Sequence, residues 1–137
     1  KYLYDGKFVS DEIVYELIKK VNFNEKYKNK LIFDGYPRSL DQAKNLETIL
    51  ESSNKKIDYI FFINVKKEVI IKRVEKRKTL EKRSDDDSNI ILKRYETYMD
   101  MTRPVLDFYS KNSNFYEIDG ALKIEQITAK IDAFLNV

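Results

Sequence analysis

Apolar positions change period several times along the chain, and each change marks an element. Ile13, Val14, Leu17, Ile18 and Val21 recur three and four apart behind Ser10-Asp11, which predicts a capped amphipathic helix. The polar stretch from Asn22 to Lys30 predicts a loop. Leu31-Ile32-Phe33 is a short apolar run stopped by Asp34-Gly35 and predicts a buried strand. From Ser39 the helical period returns, with Ala43, Leu46, Ile49 and Leu50 on one face and Ser52-Ser53-Asn54 as the stop. Ile57 to Val65, rich in Ile, Phe, Tyr and Val, is the strongest strand signal. Lys66 to Lys78 predicts a helix with Val69, Ile70 and Val74 inward, and Thr79 to Asp87 a charged loop. Asn89 to Asn112 predicts a long helix, or two joined near Pro104. Phe115-Tyr116-Glu117-Ile118 predicts a strand, Asp119-Gly120 a turn, and Ile124 to Leu135 a closing amphipathic helix.

Strands and helices alternate, and the strands are apolar nearly throughout. That combination predicts an α/β fold, a parallel sheet flanked by helices. Ligands of such sheets bind beyond the carboxyl ends of the strands, where Asp34-Gly35, Asn64-Val65 and Asp119-Gly120 fall. A chain of 137 residues with 42% apolar residues suits one domain with a packed core. It has no Cys and no His, which excludes disulfides, thiolate nucleophiles, imidazole bases, Cys/His zinc sites and Ser-His-Asp triads. Lys and Arg number 26 against 23 Asp and Glu, so the formal net charge of +3 demands neither a nucleic-acid nor a membrane partner. The run from Ile57 to Val65 is too short to span a bilayer, and Lys1-Tyr2-Leu3-Tyr4-Asp5 has no apolar signal core. The expectation is a cytoplasmic protein.

Three constellations could carry chemistry. In Asp34-Gly35-Tyr36-Pro37-Arg38-Ser39-Leu40-Asp41-Gln42-Ala43 an acid ends a strand and a Gly-x-Pro turn presents an Arg at a helix start. A guanidinium at a helix N-terminus suits a phosphate monoester, and the Gln42 carboxamide, one turn on, can both donate to and accept from a base edge. The plainer reading is a strand-turn-helix junction with Arg38 in a salt bridge. Arg73 and Arg77 share a helix face, Arg83 follows in the charged loop, and Arg94 lies on the next helix. Guanidinium groups in that number suit the equatorial oxygens of a transferring phosphoryl group; the plainer reading is a solvated basic face. Asp85 and Asp86 serve as a helix cap and partners for Arg83, or as metal ligands. Glu117-Ile118-Asp119-Gly120-Ala121-Leu122 is a turn that can offer backbone groups to a nucleobase, or only a turn.

In this order the pieces resemble the adenylate kinase family of nucleoside monophosphate kinases. Gly6-Lys7-Phe8-Val9-Ser10-Asp11-Glu12 is similar to that family's Gly-x-x-Val-x-Asp-Glu segment, and Asp34-Gly35-Tyr36-Pro37-Arg38 with Gln42-Ala43 to its most diagnostic stretch. Arg73 and Arg77, Arg83-Ser84-Asp85-Asp86, Lys93-Arg94-Tyr95, Thr102-Arg103-Pro104-Val105, Phe108-Tyr109 and Asp119-Gly120 complete the likeness across the chain. The resemblance implies a P-loop NTPase-like fold, with residues 1–21 as the end of the AMP-binding arm, 78–84 as a short lid and the remainder as core. It implies that Lys7, Phe8 and Val9 line the AMP pocket with Gly35, Tyr36 and Pro37, that Arg38 holds the AMP phosphate, and that Gln42 meets the adenine edge. Arg77, Arg83 and Arg94 would surround the phosphates, Arg83 and Arg94 touching AMP and Arg77 touching ATP, with Arg73 assisting. Leu122 would meet the ATP base, and Asp34 would bond waters of the Mg2+ that travels with ATP; no direct metal ligand is implied. The implied partners are ATP and AMP, and the implied state of the parent enzyme is a monomer.

Five residues separate Arg77 from Arg83, which resembles a short lid, although Lys78-Thr79-Leu80-Glu81-Lys82 lacks the glycines usual there; the alternative is that residues of a longer lid are absent from this sequence. Gln42 favours AMP, since UMP/CMP kinases usually carry Asn at that position. The family's P-loop, Gly-x-x-x-x-Gly-Lys-[Ser/Thr], is missing: of Gly6, Gly35 and Gly120 only Gly6 precedes a Lys, and it would need Gly at Lys1 and Ser or Thr at Phe8. The expectation is therefore the larger, C-terminal part of an adenylate kinase without its first strand and P-loop, inactive alone, whose parent converts MgATP and AMP to two ADP. A non-catalytic AMP-binding module, a UMP/CMP kinase and a basic nucleic-acid-binding domain are the alternatives.

Overall fold

Ser39 stands at the start of α2 (Leu40–Ser52) and accepts the Gln42 backbone N–H at 3.2 Å, an N-cap of the kind its sequence position predicts. In the computed structural model, which describes residues 10–28, 30–81 and 88–136, α2 carries the deepest part of the core. Ala43, Leu46, Ile49 and Leu50 are all buried along one face. α1 (Asp11–Asn22) packs alongside it. Ser10 makes no side-chain cap bond, so α1 is anchored by its ends instead. Asn22, buried in its last turn, donates from Nδ2 to the Ser53 hydroxyl at 3.0 Å, and Lys55 Nζ donates to the Asn22 carbonyl at 2.8 Å. The predicted loop thus begins one residue later, and a short 3₁₀ turn occupies Glu25–Tyr27.

β1 (Ile60–Asn64) and β2 (Phe115–Asp119) pair in parallel, Ile60 opposite Phe115 and Asn64 opposite Asp119. Side chains alternate across the sheet, so the two faces differ. Ile60 and Phe115 pack with Ile57 on the buried cluster of Ala43, Val105 and Tyr109, which belongs to α2 and α4 (Ser88–Tyr109). Phe61 and Tyr116 lie on the other face, where Phe134 of α5 (Ile124–Leu135) stacks on Tyr116 at 4.1 Å between ring centroids. Helices on both faces of a parallel pair bear out the expected α/β architecture.

Two expectations need correction. Leu31-Ile32-Phe33 joins no sheet among the described residues, and Ile32 is 94% exposed. An apolar run becomes a strand only beside a hydrogen-bonding neighbour, and β1 spends one edge on β2 while no described residue pairs with the other. The helix expected to stop at Lys78 is α3 (Lys67–Glu81), so the lid candidate 78–84 begins as helix; its residues 82–84 lie outside the described residues. No Gly or Pro interrupts Lys78-Thr79-Leu80-Glu81, and the Thr79 hydroxyl donates back to the Glu75 carbonyl at 3.1 Å. α4 runs unbroken through Pro104, which sits on its exposed side where water can satisfy the freed carbonyl.

Tyr109 is 3% exposed, and among the described residues its hydroxyl meets no acceptor in full hydrogen-bond geometry. Burial first, then the Glu47 carboxyl and Tyr36, push its pKa well above the ordinary tyrosine value. The folded chain therefore keeps this proton where the unfolded chain releases it, so stability falls as pH rises past about 10. Thermal unfolding should show a lower Tm at about pH 11 than at about pH 9, and Tyr109→Phe should flatten that fall. An unchanged slope in the variant would remove Tyr109 as its source.

Candidate functional site

The Asp34-to-Gln42 segment folds back on itself. Gly35 turns the chain at φ +70°, a region that disfavours any side chain. A Cβ there would also press on the Arg38 guanidinium. Arg38 Nε donates to the Gly35 carbonyl, which directs the guanidinium back over the turn. The Arg38 backbone N–H donates to Gln42 Oε1 at 2.7 Å. The Tyr36 hydroxyl, after a cis Tyr36–Pro37 bond, donates to the Gln42 carbonyl at 3.3 Å. Arg38 and Gln42 are thus coupled at the N-terminus of a 13-residue helix, where unpaired N–H groups and the helix dipole favour an anion.

Three residues support this turn that the sequence did not single out for it. Asp11 Oδ1 accepts from Gln42 Nε2 at 2.8 Å, across 31 positions. Thr102 Oγ1 donates to the Arg38 carbonyl at 3.4 Å, across 64 positions. Burial raises the Tyr98 pKa, and the positive charge of Arg38 partly offsets that rise. Thr102 left one signal: a polar residue one turn before Val105 and Tyr109 on a buried row of α4. Tyr36 is raised by burial, then by Asp11 and Tyr15, which puts the Asp11 carboxylate inside the same cluster.

Arg94, Tyr98 and Thr102 are four residues apart and share one face of α4, so Arg94 stands on the row that reaches Arg38. Ile71 and Val74 of α3 and Ile91 and Leu92 of α4 line one small cavity. Arg77 lies three residues after Val74 and Arg94 three after Ile91, so helical spacing places each on the same side of its helix as that cavity. Arg77 and Arg94 are half-buried, and Arg73 is exposed. Asp34 is exposed in the bend before Arg38. At the far end of the sheet the Gly120 N–H donates to the Asn64 carbonyl at 2.8 Å, the Ala121 N–H to Asp119 Oδ1 at 2.9 Å, and the Leu122 N–H to the Asp119 carbonyl at 3.4 Å. A Cβ on Gly120 would drive into Val65 and Ile63, so only glycine fits that close approach. Lys7, Phe8, Val9 and Arg83 lie outside the described residues.

Residues 1–114 match the family model described as Adenylate kinase. The chain belongs to the adenylate kinase family. The adenylate kinase of Pelagibacter ubique is 45% identical to it, over all of this chain and 76% of the relative. That of Mycoplasma capricolum is 37% identical over the same shares, and that of Hyphomonas neptunium 36% identical over 99% of this chain and 72% of the relative. The Pelagibacter match runs over 163 residues, longer than these 137, so that adenylate kinase carries residues with no counterpart here. The Hyphomonas match runs over 136 residues and shows no such excess. Family membership accords with an adenylate kinase-like phosphotransferase.

Proposed function

We propose that this chain supplies the AMP site and the arginine set of an enzyme that transfers the γ-phosphoryl group of ATP to AMP, giving two ADP. The observation that carries this reading is the coupled Arg38–Gln42 turn, which joins an anion-binding helix end to a base-reading carboxamide within five residues. Arg38 binds the AMP phosphate and Gln42 the adenine edge, with Gly35, Tyr36 and Pro37 shaping the turn and residues 7–9 lining the pocket. Arg73, Arg77, Arg83 and Arg94 spread the charge of the phosphoryl group in flight, and Leu122 adjoins the ATP base. Positioning and charge stabilisation suffice, so no covalent intermediate and no side-chain base are required. Asp34, an exposed oxygen donor beside the turn, fits the hydration shell of Mg2+. Bound with ATP, that ion neutralises phosphate charge. We read 78–84 as a short lid that closes to exclude water. We also read the enzyme as a cytoplasmic monomer serving nucleotide biosynthesis; no helix among the described residues is long and apolar enough to cross a membrane.

These 137 residues contain no Gly-x-x-x-x-Gly-Lys-[Ser/Thr] to cradle the ATP phosphates. The 137-residue chain is therefore expected to bind AMP in calorimetry, with UMP and CMP at least about tenfold weaker, and to form no ADP from MgATP and AMP. Absence of AMP binding overturns the site. AMP-dependent ADP formation overturns the dependence on a P-loop.

A further inference from the structure

The Gln42 carboxamide is held at both ends. Oε1 accepts the Arg38 N–H at 2.7 Å, and Nε2 donates to Asp11 Oδ1 at 2.8 Å. Neither partner accepts the amide turned over, because a backbone N–H only donates and an ionised carboxylate only accepts. A flip would set the NH2 group against an N–H and the carbonyl oxygen against a carboxylate. Gln42 is only 4% exposed, so water is poorly placed to replace the two lost bonds.

The amide's polarity decides which purine it can read. These two bonds leave Oε1 one lone pair and Nε2 one N–H. A 6-amino purine presents a donor beside an acceptor on its Watson–Crick edge. A 6-oxo purine presents the reverse, an acceptor beside a donor. A freely turning carboxamide matches both, and one locked in a single sense matches one. We propose that Asp11 is a positioning residue that locks the Gln42 carboxamide, and so sets the preference for 6-amino over 6-oxo purine monophosphates. This rests on the reading of Gln42 as the base contact.

The lock is built from outside the turn. Asp11 opens α1, and its distance from Gln42 in sequence means that α1 must lie correctly on α2. The buried Asn22 fixes the opposite end of α1 to Ser53 and Lys55. The carboxylate also faces Tyr36, whose own hydroxyl bonds the Gln42 carbonyl. Asp11, Tyr36 and the Arg38 N–H therefore hold Gln42 from three sides.

The test is calorimetric binding of AMP and inosine monophosphate to the 137-residue chain and to Asp11→Ala, Asp11→Leu and Asp11→Asn. Both ligands carry the same ribose and phosphate, so a merely loosened pocket weakens both alike. The unaltered chain should favour AMP. Asp11→Ala should lower the AMP-to-inosine-monophosphate preference about tenfold, equivalent to about 1.4 kcal/mol. Asp11→Leu fills the space without an acceptor and should do the same if the alanine variant fails to fold. Asp11→Asn keeps an acceptor oxygen and should hold the preference within about threefold of the unaltered chain. Equal weakening of both ligands in the alanine and leucine variants, or an unchanged preference, overturns the lock while leaving the AMP site standing. No binding of either ligand to the unaltered chain overturns the AMP site and the lock with it.

Discussion

Arg38→Ala is expected to weaken AMP binding to the chain about 100-fold, equivalent to about 2.8 kcal/mol. The guanidinium is the charged donor set that the Gly35 turn delivers to the start of α2, and a phosphate monoester needs that charge and fork geometry. The bond from Arg38 to Gln42 comes from the backbone N–H, so truncating the side chain leaves the Gln42 carboxamide held as before. Adenosine, which has no phosphate, should therefore bind the variant as it binds the unaltered chain. Arg38→Lys keeps a point charge without the fork and should fall between the two. Calorimetry with AMP and adenosine separates these effects. A similar loss for both ligands, or none for AMP, would take Arg38 out of the phosphate site.

Leu46→Ala should destabilise the fold by roughly 2–5 kcal/mol, out of a total that is about 5–15 kcal/mol for an ordinary domain. Among the described residues Leu46 is the largest side chain that is fully buried, and it sits midway along the α2 face that also buries Ala43, Ile49 and Leu50. Removing it leaves a cavity that neighbouring helices cannot collapse to fill. Ile32→Ala is the internal control, since a residue 94% exposed should shift stability by no more than about 0.5 kcal/mol. Chemical unfolding followed by circular dichroism compares the two directly. A loss under about 1 kcal/mol at Leu46 would place the core elsewhere.

Much of the fold was legible residue by residue because its causes are local. Ser39 and the apolar spacing behind it specify α2 within a dozen positions, and the cap and buried face stand where the spacing put them. Ile, Phe and Tyr runs foretold β1 and β2, and the apolar character of both foretold their parallel pairing. The Arg38–Gln42 coupling was legible too, since one helical turn fixes the reach between them. Helix ends were less so: α3 continues to Glu81 because no Gly or Pro interrupts the residues after Lys78.

By itself the sequence determined the order of the helices and of the two paired strands, the face α2 buries, the lack of His and Cys side chains, and the turn that brings Arg38 to the start of α2. Only the tertiary structure decided that Asp11 serves Gln42 rather than capping its own helix, that Thr102 and Tyr98 attend Arg38, and that Leu31-Ile32-Phe33 stays outside the sheet. The physical reason is the same in each case. A cap or an amphipathic face is satisfied by neighbours a few residues away, whereas a carboxylate 31 positions distant, a hydroxyl 64 positions distant or a strand's second edge takes its meaning from whichever partner folding brings beside it.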